Sequence, residues 1–506
     1  MSQERFDELR GRLAEVSDLG KTMALLSWDQ QVMMPPRGSA ARAEQLATLK
    51  RIAHERFIDP EIGRLLEKLE PFEAEHDYDS FEASLIRVTR RDWEKARKVP
   101  TELRVEMSRA AALALPVWID ARKNNDFETF LPALRENLEL RRRYVECFDG
   151  DYAEPYDALL DDYEPDMTTA EVRTLFDYVK QHQGALVKLV ADGGPYPVAP
   201  DARFPVELQK QFELEVVRRF GFTDDAWRID PTVHPFAQSI GSQDIRITTR
   251  YFDDKLNSLF ATMHEFGHGL YEHQVDMSLD RTPLGSGVSL GLHESQSRMW
   301  ENLVGRSLSA WKFFFPRLRE TFPDVFAGYD VDRWYREINA IEPSLIRVEA
   351  DEATYNLHII LRFELEQELL AGSFPLEQLP EEWNRRMWEY LGIEVPNDTL
   401  GVLQDTHWAI GAIGYFATYA LGNLISAQLW EKIVADIPDL ETGFEQGEFA
   451  PLREWLRDHL HCYGRKFTPR ETLERSIGAN AIDAEPYIRY LQRKIGAIYG
   501  ISAAAA

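Results

Sequence analysis

A short stretch of the chain, residues 264–268, carries two histidines and a glutamate in the order His-Glu-Phe-Gly-His. On a helix, residues four apart lie on the same face, because one turn takes 3.6 residues. His264 and His268 can therefore bind one metal ion, and Glu265 lies beside the first of them. This spacing predicts a metal site with an adjacent base that activates water.

A catalytic zinc ion takes a third protein ligand and keeps one position for water. Glu294 is the leading candidate, 26 residues after His268, since the glycine-rich residues 283–287 allow its helix to fold back. His293 and His273 are the alternatives. His273 should point away, because five residues on a helix turn it by about 140° from His268. His293 is expected to contact a ligand and orient it.

Glu265 is predicted to be the general base. Zinc lowers the pKa of a bound water to about 7, so a neighbouring carboxylate can accept its proton and pass it to a leaving amine. A structural zinc site is usually closed by four cysteines or histidines. The chain has two cysteines, Cys147 and Cys462, far apart. The two-histidine, one-glutamate set instead resembles the gluzincin class of metallopeptidases.

Composition restricts the partners and the compartment. The 506 residues are 44% hydrophobic and 28% charged, which suits a large globular core, and the net charge is −27. Phosphates would be repelled, so a nucleic-acid partner is not expected. Few cysteines and no secretory signal at the start favour a cytoplasmic protein.

One uncharged segment, residues 408–430, is long enough to span a bilayer. It contains polar side chains, among them Thr418, Asn423 and Gln428, and three glycines. A buried, partly helical segment that lines a cavity is therefore the better interpretation, and no membrane association is expected.

Helical patterning dominates the chain. Residues 1–27 and 39–57 are predicted helices separated by Pro35 and Pro36, and residues 79–149 and 205–220 are further helices. The loop composition of residues 192–200 suggests a boundary between an N-terminal helical portion, 1–191, and a catalytic portion, 201–506. The two could form one continuous peptidase domain.

Residues 244–252 give the best strand signal, with alternating β-branched side chains just before the metal helix. Such a strand could pair with a substrate backbone at a free edge, or it could be an internal hairpin strand. Both remain open from sequence. The predicted fold is mainly α, with a small β-sheet near the zinc site.

Six separated segments resemble the carboxypeptidase Taq family of thermostable metallocarboxypeptidases, in the family's order and over nearly the whole chain. They are 234–236 (His-Pro-Phe), 244–248 (Asp-Ile-Arg-Ile-Thr), 264–268, 293–296 (His-Glu-Ser-Gln), 346–351 (Ile-Arg-Val-Glu-Ala-Asp) and 401–408 (Gly-Val-Leu-Gln-Asp-Thr-His-Trp). The resemblance implies a large helical body with a deep substrate cleft. It also implies removal of single residues from peptide C-termini, Zn²⁺ or Co²⁺ as cofactor, and a homodimer.

A carboxypeptidase needs a cation for the substrate's terminal carboxylate, and arginine can bind it with two hydrogen bonds. Arg347 is the preferred candidate, with Arg246, Arg250 and Arg298 as others. The alternative for Arg347 is a structural ion pair with Asp351, four residues on.

His407 and Tyr415 are predicted to donate hydrogen bonds to the tetrahedral intermediate, a role carried over from related gluzincins. Tyr419 and Tyr355 are substitutes, and simple packing is the alternative for the tyrosines.

The remaining motif residues are expected to shape the pocket or orient ligands. His234, Gln404, Arg246 and Tyr419 are predicted to contact substrate, and Asp244 to support the site. Asp351 is predicted to accept a hydrogen bond from a ligand histidine, although the sequence does not favour it over Glu301.

These inferences predict a cytoplasmic metallocarboxypeptidase that acts on peptides with a free C-terminal carboxylate. The alternatives are a zinc oligopeptidase that cuts within peptides and a non-catalytic helical scaffold stabilised by metal. An aminopeptidase is less supported, since no acidic group is evidently placed to bind a free amine.

Overall fold

The computed structural model describes residues 2–192 and 202–501. Among these residues, nine α-helices precede the sheet: α1 Ser2–Val32, α2 Ser39–Phe57, α3 Pro60–Ala74, α4 Phe81–Lys98, α5 Thr101–Asn124, α6 Phe127–Glu146, α7 Pro155–Leu160, α8 Thr169–Asp192 and α9 Val206–Phe220. The predicted boundary segment mostly lies outside the described residues, since these resume only at residue 202.

Twelve helices follow the sheet in the described part of the chain. They are α10 Asn257–Gln274, α11 Leu290–Arg298, α12 Leu308–Thr321, α13 Pro323–Phe326, α14 Val331–Ile338, α15 Tyr355–Ala371, α16 Leu379–Leu391, α17 Ala417–Asp436, α18 Leu440–Glu445, α19 Ala450–His459, α20 Pro469–Ile477 and α21 Glu485–Tyr499. A π-helical segment, Met299–Val304, directly continues α11. The prediction of a mainly α fold is confirmed.

Three strands form the sheet: β1 Trp227–Pro231, β2 Ala237–Gly241 and β3 Asp244–Thr249, in the order β1-β3-β2. β3 pairs parallel with β1 and antiparallel with β2. The strand predicted within residues 244–252 is therefore the central strand, internal to a hairpin. The alternative, a free edge that pairs with substrate, is wrong for β3 because both its edges are occupied. Within this sheet, β2 is an edge strand.

The first helices follow the proline signal closely. α1 continues to Val32, five residues beyond the prediction, and ends before Pro35, whose ring cannot continue a helix. α2 has the predicted bounds. Of the aromatic side chains in the helices predicted within residues 79–149, Trp118 and Phe130 are buried, whereas Trp93 is partly buried.

Two hydrophobic clusters form the core, and the metal helix belongs to the first. That cluster joins Phe6 and Phe266, whereas the second joins Phe130 and Leu361. Each cluster thus draws on both predicted portions of the chain. α17 contributes to both clusters, with Leu421 in the second and Leu429 in the first. The division into 1–191 and 201–506 stays a prediction.

The uncharged segment 408–430 ends in α17, whose N-terminal two-thirds is largely buried. No helix in the described residues is long and apolar enough to cross a membrane.

Glycines set the distances among the three helices around the site. A Cβ at Gly267 of α10 would lie 2.6 Å from the Ser297 Cα of α11, and one at Gly422 of α17 would lie 2.5 Å from the Glu294 Cγ. Real Cβ atoms do not come this close, so only glycine allows these contacts. The backbones of α10 and α17 therefore fix the position of α11.

The α11–α17 contact yields a test of this packing. We expect Gly422→Ala to lower the free energy of unfolding by about 1–3 kcal/mol, because the added methyl group overpacks the contact with Glu294. Metal affinity should fall as well. Thermal unfolding and competition with a metal chelator measure the two effects.

Gly11→Ala is the matched control, since Gly11 lies inside α1 with no atom within 4 Å of the added Cβ. Alanine is the better helix former, so this variant should be unchanged or slightly more stable. Equal behaviour of the two variants would contradict the packing argument.

Candidate metal centre

Three side chains converge between α10 and α11: His264, His268 and Glu294. Their ligand atoms all lie within 4.8 Å of one another. Glu294 Oε2 is 3.7 Å from His264 Nε2 and 3.3 Å from His268 Nε2. Two imidazole nitrogens and one carboxylate oxygen that leave further positions open match a catalytic zinc site. The residues present therefore fit a divalent metal ion.

The helical spacing explains this convergence. His264 and His268 are four residues apart on α10, and their ring centroids are 4.9 Å apart. Ser289 caps α11, because its hydroxyl accepts a hydrogen bond from the Leu292 N–H. Buried Glu164 accepts another from the Gly291 N–H. These contacts anchor the helix end from which Glu294 reaches the histidines.

Glu301 orients His264. Its Oε2 is 2.9 Å from His264 Nδ1, and Arg298 donates to the same oxygen at 3.2 Å. A proton on Nδ1 leaves the lone pair of Nε2 for the metal. Arg298 also donates to Glu294 Oε1 at 2.7 Å. Arg298, which is mostly buried, therefore fixes both the ligand Glu294 and the residue Glu301, which orients the ligand His264.

A chain of side chains orients His268. His268 Nδ1 is 2.7 Å from His293 Nδ1, and His293 Nε2 is 3.1 Å from Glu272 Oε1. Glu272 accepts, so His293 carries its proton on Nε2 and offers a lone pair at Nδ1. His268 then donates from Nδ1 and keeps its Nε2 lone pair for the metal. His293 lies where the sequence predicted it, and His273 lies away from the site, 2.7 Å from the Ser242 carbonyl oxygen.

The two glutamates of the centre differ in charge. Burial raises the pKa of Glu265 to about 7, although the nearby His264 opposes this shift. Burial also disfavours the charged form of Glu294, but Arg298 and the ligand histidines outweigh it and hold its pKa far below the usual range. Glu294 is thus ionised, as a metal ligand must be, whereas Glu265 can take up and release a proton near neutrality.

Arg347 forms an ion pair, but with a partner different from the one predicted. Its guanidinium donates to Asp405 Oδ1 at 2.8 and 3.0 Å and to the Tyr355 hydroxyl at 2.9 Å. Arg362 pairs with the other Asp405 oxygen at 2.6 Å. The predicted alternative, a pair with Asp351, is therefore wrong. Two buried arginines share one carboxylate, which leaves one positive charge in excess.

Asp351 does not orient a ligand histidine. Its carboxylate accepts hydrogen bonds from the backbone N–H groups of Glu342, Ala353 and Thr354 and thereby fixes the turn before α15. Glu301 fills the role predicted for Asp351. The prediction for Asp351 is wrong, because the π-helical segment after α11 brings Glu301 to His264.

Two other residues that were predicted to act at the site, Asp244 and Gln404, form hydrogen bonds with neighbouring groups of the protein. Asp244 binds Arg246 at two distances of 2.9 Å, and Arg246 also lies over the Trp28 ring. Asp244 therefore holds Arg246 rather than a metal ligand. Gln404 accepts from the Arg347 N–H and donates to three backbone carbonyls. Its amide holds the segment around residue 404, and its predicted contact with substrate stays a prediction.

A polar aromatic group lies beside Glu294. His407 Nε2 is 3.2 Å from the Tyr419 hydroxyl, and the rings of Tyr415 and Tyr419 are 5.2 Å apart. Burial and the negative charge of Glu294 raise the pKa of Tyr415 to about 12, so its hydroxyl keeps its proton. His234 is exposed in the loop between β1 and β2. The structure therefore brings His407, Tyr415 and Tyr419 together on one side of the centre.

Buried Glu366 holds the segment that carries His407 and Tyr415. Its carboxylate accepts hydrogen bonds from Trp408 Nε1 at 2.9 Å, the Gly414 N–H at 2.9 Å and the Tyr156 hydroxyl at 2.7 Å. Sequence reasoning missed Glu366, Glu272 and Asp405. Glu272 could have been found, because it lies four residues after His268 on the same helical face.

Comparison with known proteins gives consistent matches over nearly the whole chain. The family model described as carboxypeptidase Taq (M32) metallopeptidase matches residues 8–495. Thermostable carboxypeptidase 1 of Thermus thermophilus is 43% identical, with 97% of this chain and 98% of that protein covered. The Pyrococcus furiosus protein of the same name is 37% identical with the same coverage. The crystal structure of an M32 carboxypeptidase from Deinococcus radiodurans has a TM-score of 0.95 at 38% identity, covering 98% of this chain and 100% of that one.

The contact between Glu301 and His264 can be tested by metal affinity. Glu301→Gln should weaken metal binding by about 10- to 100-fold, because the ligand imidazole loses its anionic partner. Asp351→Asn is the matched control: it should lower the thermal midpoint while leaving metal affinity unchanged. Titration against a fluorescent chelator measures both variants. Equal metal loss in both variants would contradict a specific orienting role of Glu301.

The environment of Glu366 predicts a pH dependence of stability. Burial raises the pKa of its carboxyl from 4.5 to about 7, so the folded protein holds a proton that the unfolded chain releases. The contribution of this group to the free energy of unfolding therefore decreases as pH rises from 4.5 to 7, by about 3 kcal/mol. Glu366→Gln removes the titration. Between pH 5 and pH 8, urea unfolding should show the variant gaining stability relative to the wild type; parallel curves would contradict this.

Proposed function

The chain belongs to the carboxypeptidase Taq (M32) metallopeptidase family and is a metal-dependent carboxypeptidase, and we propose that His264, His268 and Glu294 bind its catalytic ion. The observation that carries this proposal is the convergence of two imidazoles and one ionised carboxylate, with Glu265 directly after the first histidine.

We propose zinc as the ion. Nitrogen and carboxylate ligands in a three-residue set suit Zn²⁺, and Co²⁺ accepts the same ligands. When bound, the ion lowers the pKa of a water and polarises the scissile carbonyl. The chain's own contribution is to hold both imidazoles with Nε2 unprotonated, through Glu301 for His264 and through His293 for His268.

Glu265 is the proposed general base. It follows His264 directly on α10, it is buried, and its pKa of about 7 allows proton uptake and release near neutrality. In this role Glu265 removes a proton from the attacking water and then delivers it to the nitrogen of the leaving amino acid. Burial keeps other water away from the carboxylate, so the proton is not lost between the two transfers.

His407, Tyr415 and Tyr419 are the proposed donors to the oxyanion of the tetrahedral intermediate. Burial raises the pKa of both tyrosines, so each phenol carries a proton to donate. The negative charge of Glu294 contributes to the raised pKa of both tyrosines. This contribution supports the view that the two phenols lie close to Glu294, a proposed metal ligand. His234 is proposed to contact substrate from the loop between β1 and β2.

We propose that the substrate's terminal carboxylate is attracted by the pair Arg347 and Arg362. Asp405 neutralises one of the two buried guanidinium groups, and the remaining charge favours an anion. Arg347 lies 4.8 Å from the Tyr419 ring centroid, which links this charge to the oxyanion donors. Peptides with a free C-terminus are therefore the proposed substrates. The cytoplasmic location and the homodimer stay predictions.

One experiment tests the proposed direction and the base together. A peptide is prepared as the free acid and as the C-terminal amide, and each is incubated with the wild type and with Glu265→Gln. We expect the wild type to release the last residue from the free acid and to act far more weakly on the amide, since the amide cannot satisfy the excess charge near Arg347. Amino-acid analysis over time is the measurement.

Glu265→Gln should release the residue from neither peptide at more than a small fraction of the wild-type rate, with kcat lowered on the order of 10²- to 10⁴-fold. Metal content should remain one ion per chain, which shows that the ligands are intact. Equal cleavage of acid and amide would favour the alternative zinc oligopeptidase. Full activity of the variant would overturn the role of Glu265.

A further inference from the structure

Tyr355 contacts two arginines that belong to different parts of the centre. It is the first residue of α15, and its side chain is buried. Its hydroxyl accepts a hydrogen bond from Arg347 Nη1 at 2.9 Å. Its ring lies under the Arg298 guanidinium, whose Cζ atom is 4.1 Å from the ring centroid. One side chain therefore joins the arginine beside the metal ligands to the arginine proposed to attract the substrate carboxylate.

The ring of Tyr355 serves the metal side. Arg298 donates to Glu294 Oε1 at 2.7 Å and to Glu301 Oε2 at 3.2 Å, so it holds a proposed ligand and the residue that orients another. The face of a phenol ring carries partial negative charge and attracts a cation, more strongly where water is excluded. The ring thus restricts the position from which Arg298 holds the two carboxylates.

The hydroxyl of Tyr355 serves the carboxylate side. Arg347 donates to Asp405 Oδ1 through Nε and Nη2, and its third nitrogen, Nη1, donates to Tyr355. A guanidinium group is planar, so partners at all three nitrogens fix both its position and its plane. Asp405 alone would leave Arg347 free to pivot about that carboxylate oxygen.

The reaction requires a fixed distance between these two sides. In the substrate of a carboxypeptidase, three covalent bonds separate the scissile carbonyl carbon from the terminal carboxyl carbon, which keeps them within about 4 Å. The metal ligands and the guanidinium that attracts the carboxylate must therefore keep a constant separation, because small misplacements are costly to catalysis. Tyr355 supplies a connection of two contacts, one to Arg298 and one to Arg347.

We infer that Tyr355 is a positioning residue that fixes Arg347 relative to the metal ligands, with its ring on Arg298 and its hydroxyl on Arg347. The inference rests on the proposed attraction of the substrate carboxylate by Arg347. This role differs from the donation to the intermediate considered for Tyr355 in the sequence, because the hydroxyl accepts a hydrogen bond and acts through an arginine.

Tyr355→Phe removes the hydroxyl and keeps the ring. The substrates are an N-blocked dipeptide that ends in leucine and the corresponding leucine amide, and the ratio of kcat/KM for acid over amide is measured. We expect this ratio to fall about tenfold, mainly through a higher KM for the acid, because Arg347 loses a hydrogen bond made by a charged donor. Metal affinity, from titration against a fluorescent chelator, should stay within about twofold of the wild type, since the ring still contacts Arg298.

Tyr355→Leu removes the ring as well. The acid-to-amide ratio should fall as in the phenylalanine variant, and metal affinity should now fall about fivefold, because Arg298 loses its aromatic contact. Recovery of metal affinity in Tyr355→Phe, without recovery of the ratio, separates the two contacts. If Tyr355→Leu does not fold, Tyr355→Met makes the same comparison with a longer, more adaptable side chain.

A double-mutant cycle tests whether Tyr355 acts through Arg347. Arg347→Lys keeps the charge but lacks the planar guanidinium that the hydroxyl orients. In this background, Tyr355→Phe should change the ratio by less than about twofold, because residues that act as one unit are not additive.

Tyr144→Phe is the matched control. Tyr144 is a buried tyrosine of α6 whose hydroxyl donates to Asp162 Oδ1 at 2.7 Å. Loss of this hydroxyl should lower the thermal midpoint while leaving the acid-to-amide ratio and metal affinity unchanged. The control separates loss of a buried hydroxyl in general from loss of the one that contacts Arg347.

The possible results have distinct meanings. An unchanged ratio in Tyr355→Phe overturns the inference, and so does a full tenfold effect in the Arg347→Lys background. Equal loss of metal affinity in the phenylalanine and leucine variants would overturn the role of the ring. Equal cleavage of acid and amide by the wild type would overturn the proposed carboxylate site instead, whereas the ring contact would still be tested by the metal affinity of Tyr355→Leu.

Discussion

The contact of α11 with α10 and α17 is the constraint on which the centre depends. Glu294 belongs to a helix of nine residues, too short to be stable alone. Gly267 and Gly422 let the flanking helices approach α11 closely, and Glu164 and Ser289 satisfy its first N–H groups. Packing and capping together therefore place a carboxylate within 4 Å of two histidines that α10 has already aligned.

Burial of many charges is the cost of this arrangement, and most of these charges are offset by a partner. Arg298 contacts both Glu294 and Glu301, so the anions beside the histidines are compensated before any metal binds. Arg347 and Arg362 share Asp405, which leaves a positive charge where a substrate carboxylate would be needed. The metal ligands thus lie next to a region of excess positive charge.

The sequence predicted the parts of the site that follow from local periodicity. His264 and His268 needed only helical spacing, and Glu294 needed a return of the chain at residues 283–287. Partners distant in sequence were harder to predict. Asp405 pairs with Arg347 across 58 residues, and Glu301 reaches His264 because the helix changes to a π-helical segment at Met299. Apolar and polar residues do not alternate strongly in β1 and β2. The sequence therefore did not predict these two strands, or that β3 lies between them.

Anomalous diffraction from crystals grown with Zn²⁺ tests the central assignment most directly. A single strong peak should lie about 2.0–2.2 Å from His264 Nε2, His268 Nε2 and a carboxylate oxygen of Glu294, with a position left for water or substrate. A peak bound by a set that excludes Glu294, or a centre that stays empty while zinc binds elsewhere, would contradict the assignment of these three residues as the catalytic ligands.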